Sequence, residues 1–180
     1  MNNHNIQYLY ITISIGNNRQ MLKAQDPTFN ENVISCQPSK NNDIERILGI
    51  DPGTARLGYA LVDFDKRSGF QEIIDCGIIK THKDDSDAAR LMEMRNDLES
   101  IIERYHPSIV SVEKLFFFKN LKTIIPVAQA RGVVLELAAS KGITIYEYTP
   151  LEMKKIITGN GMAKKDLVSK VDHEAFKLKS

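Results

Sequence analysis

Two carboxylates stand out because each one ends an apolar run. Asp51 follows the run 47–50, and Glu113 ends a run that begins at Ile109. Ends of strands in α/β sheets are where reacting groups converge. Carboxylate oxygens suit Mg²⁺, and a pair of such ions can orient a water and stabilise the leaving oxygen in phosphodiester cleavage. The spacing by itself also fits, and more readily, a turn-forming aspartate and a solvated glutamate.

The distribution of charge favours the interpretation as a phosphodiester enzyme. The whole chain is nearly neutral, with 24 Lys and Arg against 23 Asp and Glu. The window 114–165, however, holds nine Lys and Arg and three acids, a net charge of +6. Such side chains neutralise DNA phosphates, although solvated helix faces would explain them too. The candidate DNA-binding lysines are Lys119, Lys122, Lys154, Lys164 and Lys165.

Three consecutive aromatic residues, 116–118, follow Glu113 almost directly. Alternation along one strand prevents all three from pointing into the core. We therefore expect at least one of them to stand exposed near the acids, where it could stack on bases or wedge between them. The other two fit core positions better.

The remaining composition excludes several classes of protein. Cys36 and Cys76 lie forty residues apart without a Cys-x-x-Cys pattern, which excludes a zinc framework and makes a disulfide scaffold unexpected. No run of about 18 apolar residues exists, so no membrane-spanning helix is expected. The few cysteines are typical of a reducing, cytoplasmic setting.

The chain changes character near residue 45. Residues 1–45 contain nine Asn and no helical period, and are predicted to be a poorly ordered extension without chemistry. Residues 46–180 are predicted to form one α/β domain with a mixed five-stranded sheet flanked by helices. The predicted strands are 47–51, 58–64, 72–79, 109–113 and 143–148. The predicted helices run from the N-cap Ser86 to Tyr105, over 125–140 with Pro126 in the first turn, over 150–158, and from about 163.

Several motifs, in this order, resemble the RuvC family of bacterial Holliday junction resolvases. The stretch ILGIDPGTARLGY at 47–59 resembles the first family motif, and VEKLFFFKN at 112–120 resembles the second. The resemblance continues to about Lys170. Its further matches are Gln129–Gly132, Tyr146–Tyr148, Lys154 and Gly159–Lys165.

The resemblance implies an RNase H-like homodimer that nicks two opposed strands of a four-way DNA junction, in recombination and repair. It would need Mg²⁺, two ions per subunit in the complete site, and would work beside the RuvA and RuvB proteins. Asp51 and Glu113 would be catalytic metal ligands, and Phe116 would stack at the junction centre. Lys154 and Lys165 would lie near the scissile phosphate. Arg131 and Gly132 would lie on the helix at the dimer interface.

One departure bears on activity. The family's remaining metal ligands lie on a C-terminal helix with a pattern like Asp-Ala-Ala-Asp-Ala-Leu-Ala, and the residues after Lys170 read VDHEAFKLKS instead. Asp172 and Glu174 are two apart and too early to substitute. We therefore expect a homologue without the C-terminal catalytic helix, truncated or from a damaged reading frame. Two carboxylates in place of four would lower metal affinity.

Two other functions are compatible with parts of this pattern. A homologue that binds junctions without cutting them would keep Phe116, the basic face and the dimer helix. A nucleotide-binding ATPase of the actin and sugar-kinase type would use the turn 51–54, Asp-Pro-Gly-Thr, to hold phosphate and metal. That type needs a duplicated domain and a second phosphate loop, which about 130 residues cannot hold.

Overall fold

The computed structural model describes residues 43–69, 71–115, 121–152 and 155, and of residues 121–123 the backbone alone. The predicted extension 1–45 therefore lies almost wholly outside the described residues. The same holds for the predicted last helix from about 163, and for the C-terminal residues with Asp172 and Glu174.

A mixed five-stranded sheet forms the centre of the molecule, as predicted. Its strands are β1 (Ile44–Asp51), β2 (Arg56–Asp65), β3 (Gln71–Lys80), β4 (Ile109–Glu113) and β5 (Thr144–Tyr148). Their order across the sheet is β3-β2-β1-β4-β5. The first three strands are antiparallel hairpin partners, whereas β4 runs parallel to both β1 and β5. The parallel pairs bring the ends of β1 and β4 to the same edge.

Two helices cross over the sheet, one between β3 and β4 and the other between β4 and β5. Helix α1 (Asp87–Tyr105) begins as predicted, because the Ser86 hydroxyl oxygen accepts a hydrogen bond from the Ala89 N–H at 3.3 Å. It ends at His106, whose left-handed backbone has a φ of 50° and whose N–H donates to the Ile102 carbonyl at 2.8 Å.

Helix α2 (Leu121–Ser140) begins four residues earlier than predicted, so that Pro126 lies inside it. The prediction was wrong because it placed this proline in the first turn, where a missing N–H is harmless. A proline one turn further in removes a single hydrogen bond near the helix start. The packing of the apolar residues that follow, including Val134 and Leu137, outweighs that loss.

Helices α1 and α2 pack on one face of the sheet, where alternate residues of the strands point. That core includes Leu48 and Ile50 of β1 and Val110 and Val112 of β4, all fully buried. The other face carries a smaller apolar cluster, made of Ile47, Val62, Phe64 and Ile109. Side chains alternate between faces with period 2. Asp51 and Glu113 therefore lie on the face opposite α1 and α2.

Candidate active site

The two acids singled out by the sequence end adjacent parallel strands. The β1–β4 register pairs Ile50 with Val112, and its next step sets Asp51 beside Glu113. Neighbouring strands lie about 4.8 Å apart, so the two acidic residues lie side by side at this edge of the sheet. Both side chains are partly exposed. The sequence predicted that these strand ends meet, and the structure brings them together.

The turn after Asp51 is tightly held. A β-carbon at Gly53 would lie 2.6 Å from the backbone oxygen of Arg56, so only glycine fits without a shift. The Thr81 hydroxyl donates to the Thr54 carbonyl at 2.6 Å, and Arg90 Nε donates to the Thr81 hydroxyl at 3.0 Å. The end of β3 and the first turn of α1 thus fix the turn beside Asp51.

The neighbours of the two acids differ on the two sides. Gly58 of β2 is the register partner of Asp51, and a β-carbon there would touch the Asp51 β-carbon at 3.6 Å. Because Gly58 has no side chain, space remains beside the Asp51 carboxylate. On the far side Tyr148 of β5 is the register partner of Glu113. The two acids are therefore flanked by a glycine on β2 and by a tyrosine on β5.

Tyr148 is a neutral hydrogen-bonding group beside Glu113. Its ring stacks on Tyr146, with centroids 6.4 Å apart and planes 14° from parallel. Burial, with smaller contributions from Tyr146 and Glu152, raises the pKa of the Tyr148 hydroxyl to about 12. The hydroxyl therefore keeps its proton at any working pH. Sequence reasoning gave Tyr148 no role of its own, because only the strand register shows that it adjoins Glu113.

A capped helix start follows β5. Thr149 and Glu152 form a reciprocal capping box: Glu152 Oε2 accepts from the Thr149 N–H at 2.8 Å, and the Glu152 N–H donates to Thr149 Oγ1 at 3.2 Å. Pro150 occupies the first helical position, as predicted. The hydrogen bonds from Thr149 also lower the pKa of the Glu152 carboxyl. The chain thus leaves the edge of the sheet in a defined direction.

Arg131 of α2 holds the end of β4 from the helix side. Its Nε donates to the backbone carbonyl of Glu113 at 3.2 Å, and its guanidinium forms a close ion pair with Glu147 of β5. The Arg131 side chain is 20% exposed. The next residue, Gly132, is exposed on α2. The assignment of Arg131 and Gly132 to a dimer interface remains a prediction.

The other predicted DNA-binding residues fall outside the described side chains. Lys122 lies in the first turn of α2, where only its backbone is described. The candidates outside the described residues are Phe116, Lys119, Lys154, Lys164 and Lys165. Within the described residues, no group of three or more His, Cys, Asp or Glu side chains could hold a metal ion. A metal would have Asp51 and Glu113 as its carboxylate ligands there, and these oxygens suit a hard cation.

The arrangement defines a class of protein: an α/β domain of the RNase H-like type, with acids at the ends of its central strands. Solved structures of Thermus thermophilus RuvC are similar to this chain. One covers 75% of this chain and 82% of its own, with a TM-score of 0.68 and 27% identity. Another, in complex with a Holliday junction substrate, covers 76% and 82% with a TM-score of 0.70 and 27% identity.

Sequence relatives identify the family. Residues 47–180 match the family described as crossover junction endodeoxyribonuclease RuvC. The RuvC protein of Roseiflexus sp. (strain RS-1) is 46% identical over 120 residues, which are 67% of this chain and 70% of that protein. The RuvC protein of Synechococcus sp. (strain CC9311) is 46% identical over 127 residues, 68% of this chain and 79% of that protein. The chain belongs to the RuvC family.

This is the family that the motifs at 47–59 and 112–120 resemble. The helices of the described residues include none that is both long and apolar enough to cross a membrane.

Proposed function

We propose that this protein is a structure-specific endonuclease that nicks opposed strands of four-way DNA junctions. The observation that carries the proposal is the placement of Asp51 and Glu113 side by side at the ends of β1 and β4, in a chain of the RuvC family. Two adjacent carboxylates on an edge of the sheet that is partly open to solvent can bind a hard cation and still leave room for a phosphate.

Each residue near the two acids has a role in this proposal. Asp51 and Glu113 would hold Mg²⁺, which when bound would activate a water and stabilise the charge on the leaving oxygen. Arg131 donates a hydrogen bond to the backbone carbonyl of Glu113, and Thr81 donates one to the turn after Asp51. These contacts keep both carboxylates in position. The protonated Tyr148 hydroxyl can donate a hydrogen bond beside Glu113. The missing side chain at Gly58 leaves a way in for the DNA backbone.

The partners of this activity are part of the same proposal. The candidate lysines contact phosphates, and Phe116 stacks on unpaired bases at the junction centre. A homodimer through the α2 helix would present two active sites to the two opposed strands. The protein would work in the cytoplasm, beside the RuvA and RuvB proteins. The family description and the similar Thermus thermophilus RuvC, solved with a Holliday junction substrate, support the choice of substrate.

The test is incubation with a synthetic four-way junction and Mg²⁺. Symmetric nicks are expected from the parent protein. Asp51→Asn should abolish nicking, because it removes the negative charge of a metal ligand. Junction binding should survive, because the substitution removes none of the basic side chains that contact DNA. The matched control is Asp97→Asn, on the exposed side of α1, which should cut as the parent does. Normal cutting by Asp51→Asn would refute the metal assignment.

The same assay separates the alternatives. A retarded complex without nicks, in parent and variant alike, would indicate a non-cleaving junction-binding protein. ATP-dependent stabilisation without junction binding would indicate the nucleotide-binding class instead.

A further inference from the structure

We propose that Arg56 and Lys80 form a phosphate-binding pair that holds the DNA strand next to the two carboxylates. This inference rests on the proposed nuclease function and adds a contact site to it. The DNA contacts expected from the sequence all lie after Glu113. Arg56 and Lys80 lie on β2 and β3, on the other side of the acids.

The register of the β2–β3 hairpin sets the two cations directly opposite each other. Arg56 pairs with Lys80, and the next pair is Leu57 with Ile79. Leu57 and Ile79 are buried in the core under the helices. By strand alternation, Arg56 and Lys80 point to the opposite face. That is the face on which Asp51 and Glu113 lie.

The pair is within reach of the same DNA strand as the acids. Gly58 is the register partner of Asp51, and Arg56 lies two residues before it, a step of about 6.6 Å along the strand. Lys80 lies about 5 Å further across the sheet. DNA rises about 3.4 Å per nucleotide along each strand. The pair would therefore contact phosphates about one to three nucleotides from the scissile one.

The other end of the same three strands shows the opposite charge arrangement. There Arg46 lies opposite Asp63 and binds it through two hydrogen bonds, of 2.7 and 2.6 Å. Lys66 pairs with Glu45, and Arg67 with Asp43. Each of these three cations at that end faces an acid.

At the end near the active site, two exposed cations face each other instead. Neither forms an ion pair with another residue in the part of the chain that the structure describes. Like charges directly opposite on antiparallel strands destabilise the pairing. The arrangement therefore does nothing for the hairpin, whereas a phosphate between the two cations would remove the repulsion. Recognition of an anion explains the pair, and strand pairing does not.

The experiment measures junction binding against salt concentration. Parent, Lys80→Gln, Arg56→Gln/Lys80→Gln and the control Lys66→Gln/Arg67→Gln are compared, each carrying Asp51→Asn so that no variant cuts. The control removes the same charge from the other end of the hairpin. The slope of log K against log salt falls by about 0.9 for each phosphate that the protein no longer neutralises. On that basis we expect the slope to fall by about 1.8 in the test variant, by about 0.9 for Lys80→Gln alone, and not at all in the control.

Other outcomes would overturn the inference. An unchanged slope in the test variant would refute it, as would an equal decrease in the control, which would indicate a general effect of net charge. A changed melting temperature with unchanged binding would mean that the pair only balances the charge of the acids. If the protein with Asp51 intact binds and nicks junctions while removal of the Arg56–Lys80 pair leaves binding unchanged, this inference fails and the proposed function stands. If the protein with Asp51 intact neither binds nor nicks junctions, the proposed function itself fails.

Discussion

Replacing Arg131 tests whether this residue acts inside the subunit. Its guanidinium lies between two strand ends: it pairs with Glu147 of β5 and donates to the backbone carbonyl of Glu113 of β4. The resemblance to the family predicted a place for it at the dimer interface. Arg131→Met keeps the length and the packing of the stem, and removes the charge and every donor.

The free energy lost when the ion pair between Arg131 and Glu147 is broken depends on how exposed the two side chains are. Breaking a fully buried ion pair from one side costs about 3–5 kcal/mol, whereas exposed pairs contribute about 0–1 kcal/mol. With side chains 20% and 34% exposed, Arg131 and Glu147 lie between these limits. We expect Arg131→Met to lower the free energy of unfolding by about 2 kcal/mol, and the melting temperature by roughly 4–8 °C.

A double-mutant cycle measures how much of this loss in the free energy of unfolding comes from the ion pair between Arg131 and Glu147. Urea unfolding of Arg131→Met, Glu147→Leu and the double variant should give a coupling free energy of about 1–2 kcal/mol, because either single change leaves one charge without its partner. Removal of the hydrogen bond to the Glu113 carbonyl should also lower the cleavage rate about 10- to 100-fold. Arg131→Lys, which keeps the charge but not the fork of donors, should recover only part of either effect.

A coupling free energy near zero, together with a weakened subunit association in sedimentation, would place the action of Arg131 between subunits rather than within one.

Two further predictions concern the face of the sheet that carries the acids. The Ser111 hydroxyl is fully buried and has no hydrogen-bond partner among the described residues. Ser111→Ala should therefore raise the free energy of unfolding by up to about 1 kcal/mol in urea titrations. A large decrease in that free energy would show instead that the hydroxyl has a partner. Tyr148 has a folded pKa of about 12 against 10 when unfolded, so the unfolded chain loses its proton first and stability should fall as pH rises from 10 to 12. Absorbance in the near ultraviolet, where tyrosinate absorbs, should show a transition near pH 12 that is absent from Tyr148→Phe. If Tyr148→Phe instead loses a transition near pH 10, the result contradicts the structure.

The local features of this protein could be predicted from the sequence. Apolar runs that end in Asp51 and Glu113 specify strands with acids at their ends, and Ser86 before an amphipathic stretch specifies the start of α1. The capping residues around Pro150 specify another helix start. Each of these depends on residues within a few positions of one another, so the physical cause is contained in a short segment.

Helix α2 marks the limit of such local rules. A proline near the start of a helix is assigned from the sequence to its first turn, yet the chain becomes helical at Leu121 and includes Pro126. Packing of the apolar side of α2 against the sheet overrides the local preference, because burial of several side chains outweighs one missing hydrogen bond.

Only the tertiary structure decided which residues surround the acids. Tyr148 adjoins Glu113 through the β4–β5 register, and Arg131 reaches the Glu113 carbonyl across 18 positions of the chain. Thr81 reaches the turn after Asp51 across 27 positions, and Arg56 faces Lys80 through a hairpin. Strand register and helix packing set these contacts by long-range pairing, which no local pattern encodes. The sequence by itself determined that two acids end two strands, and the sheet decided what holds them and what lies beside them.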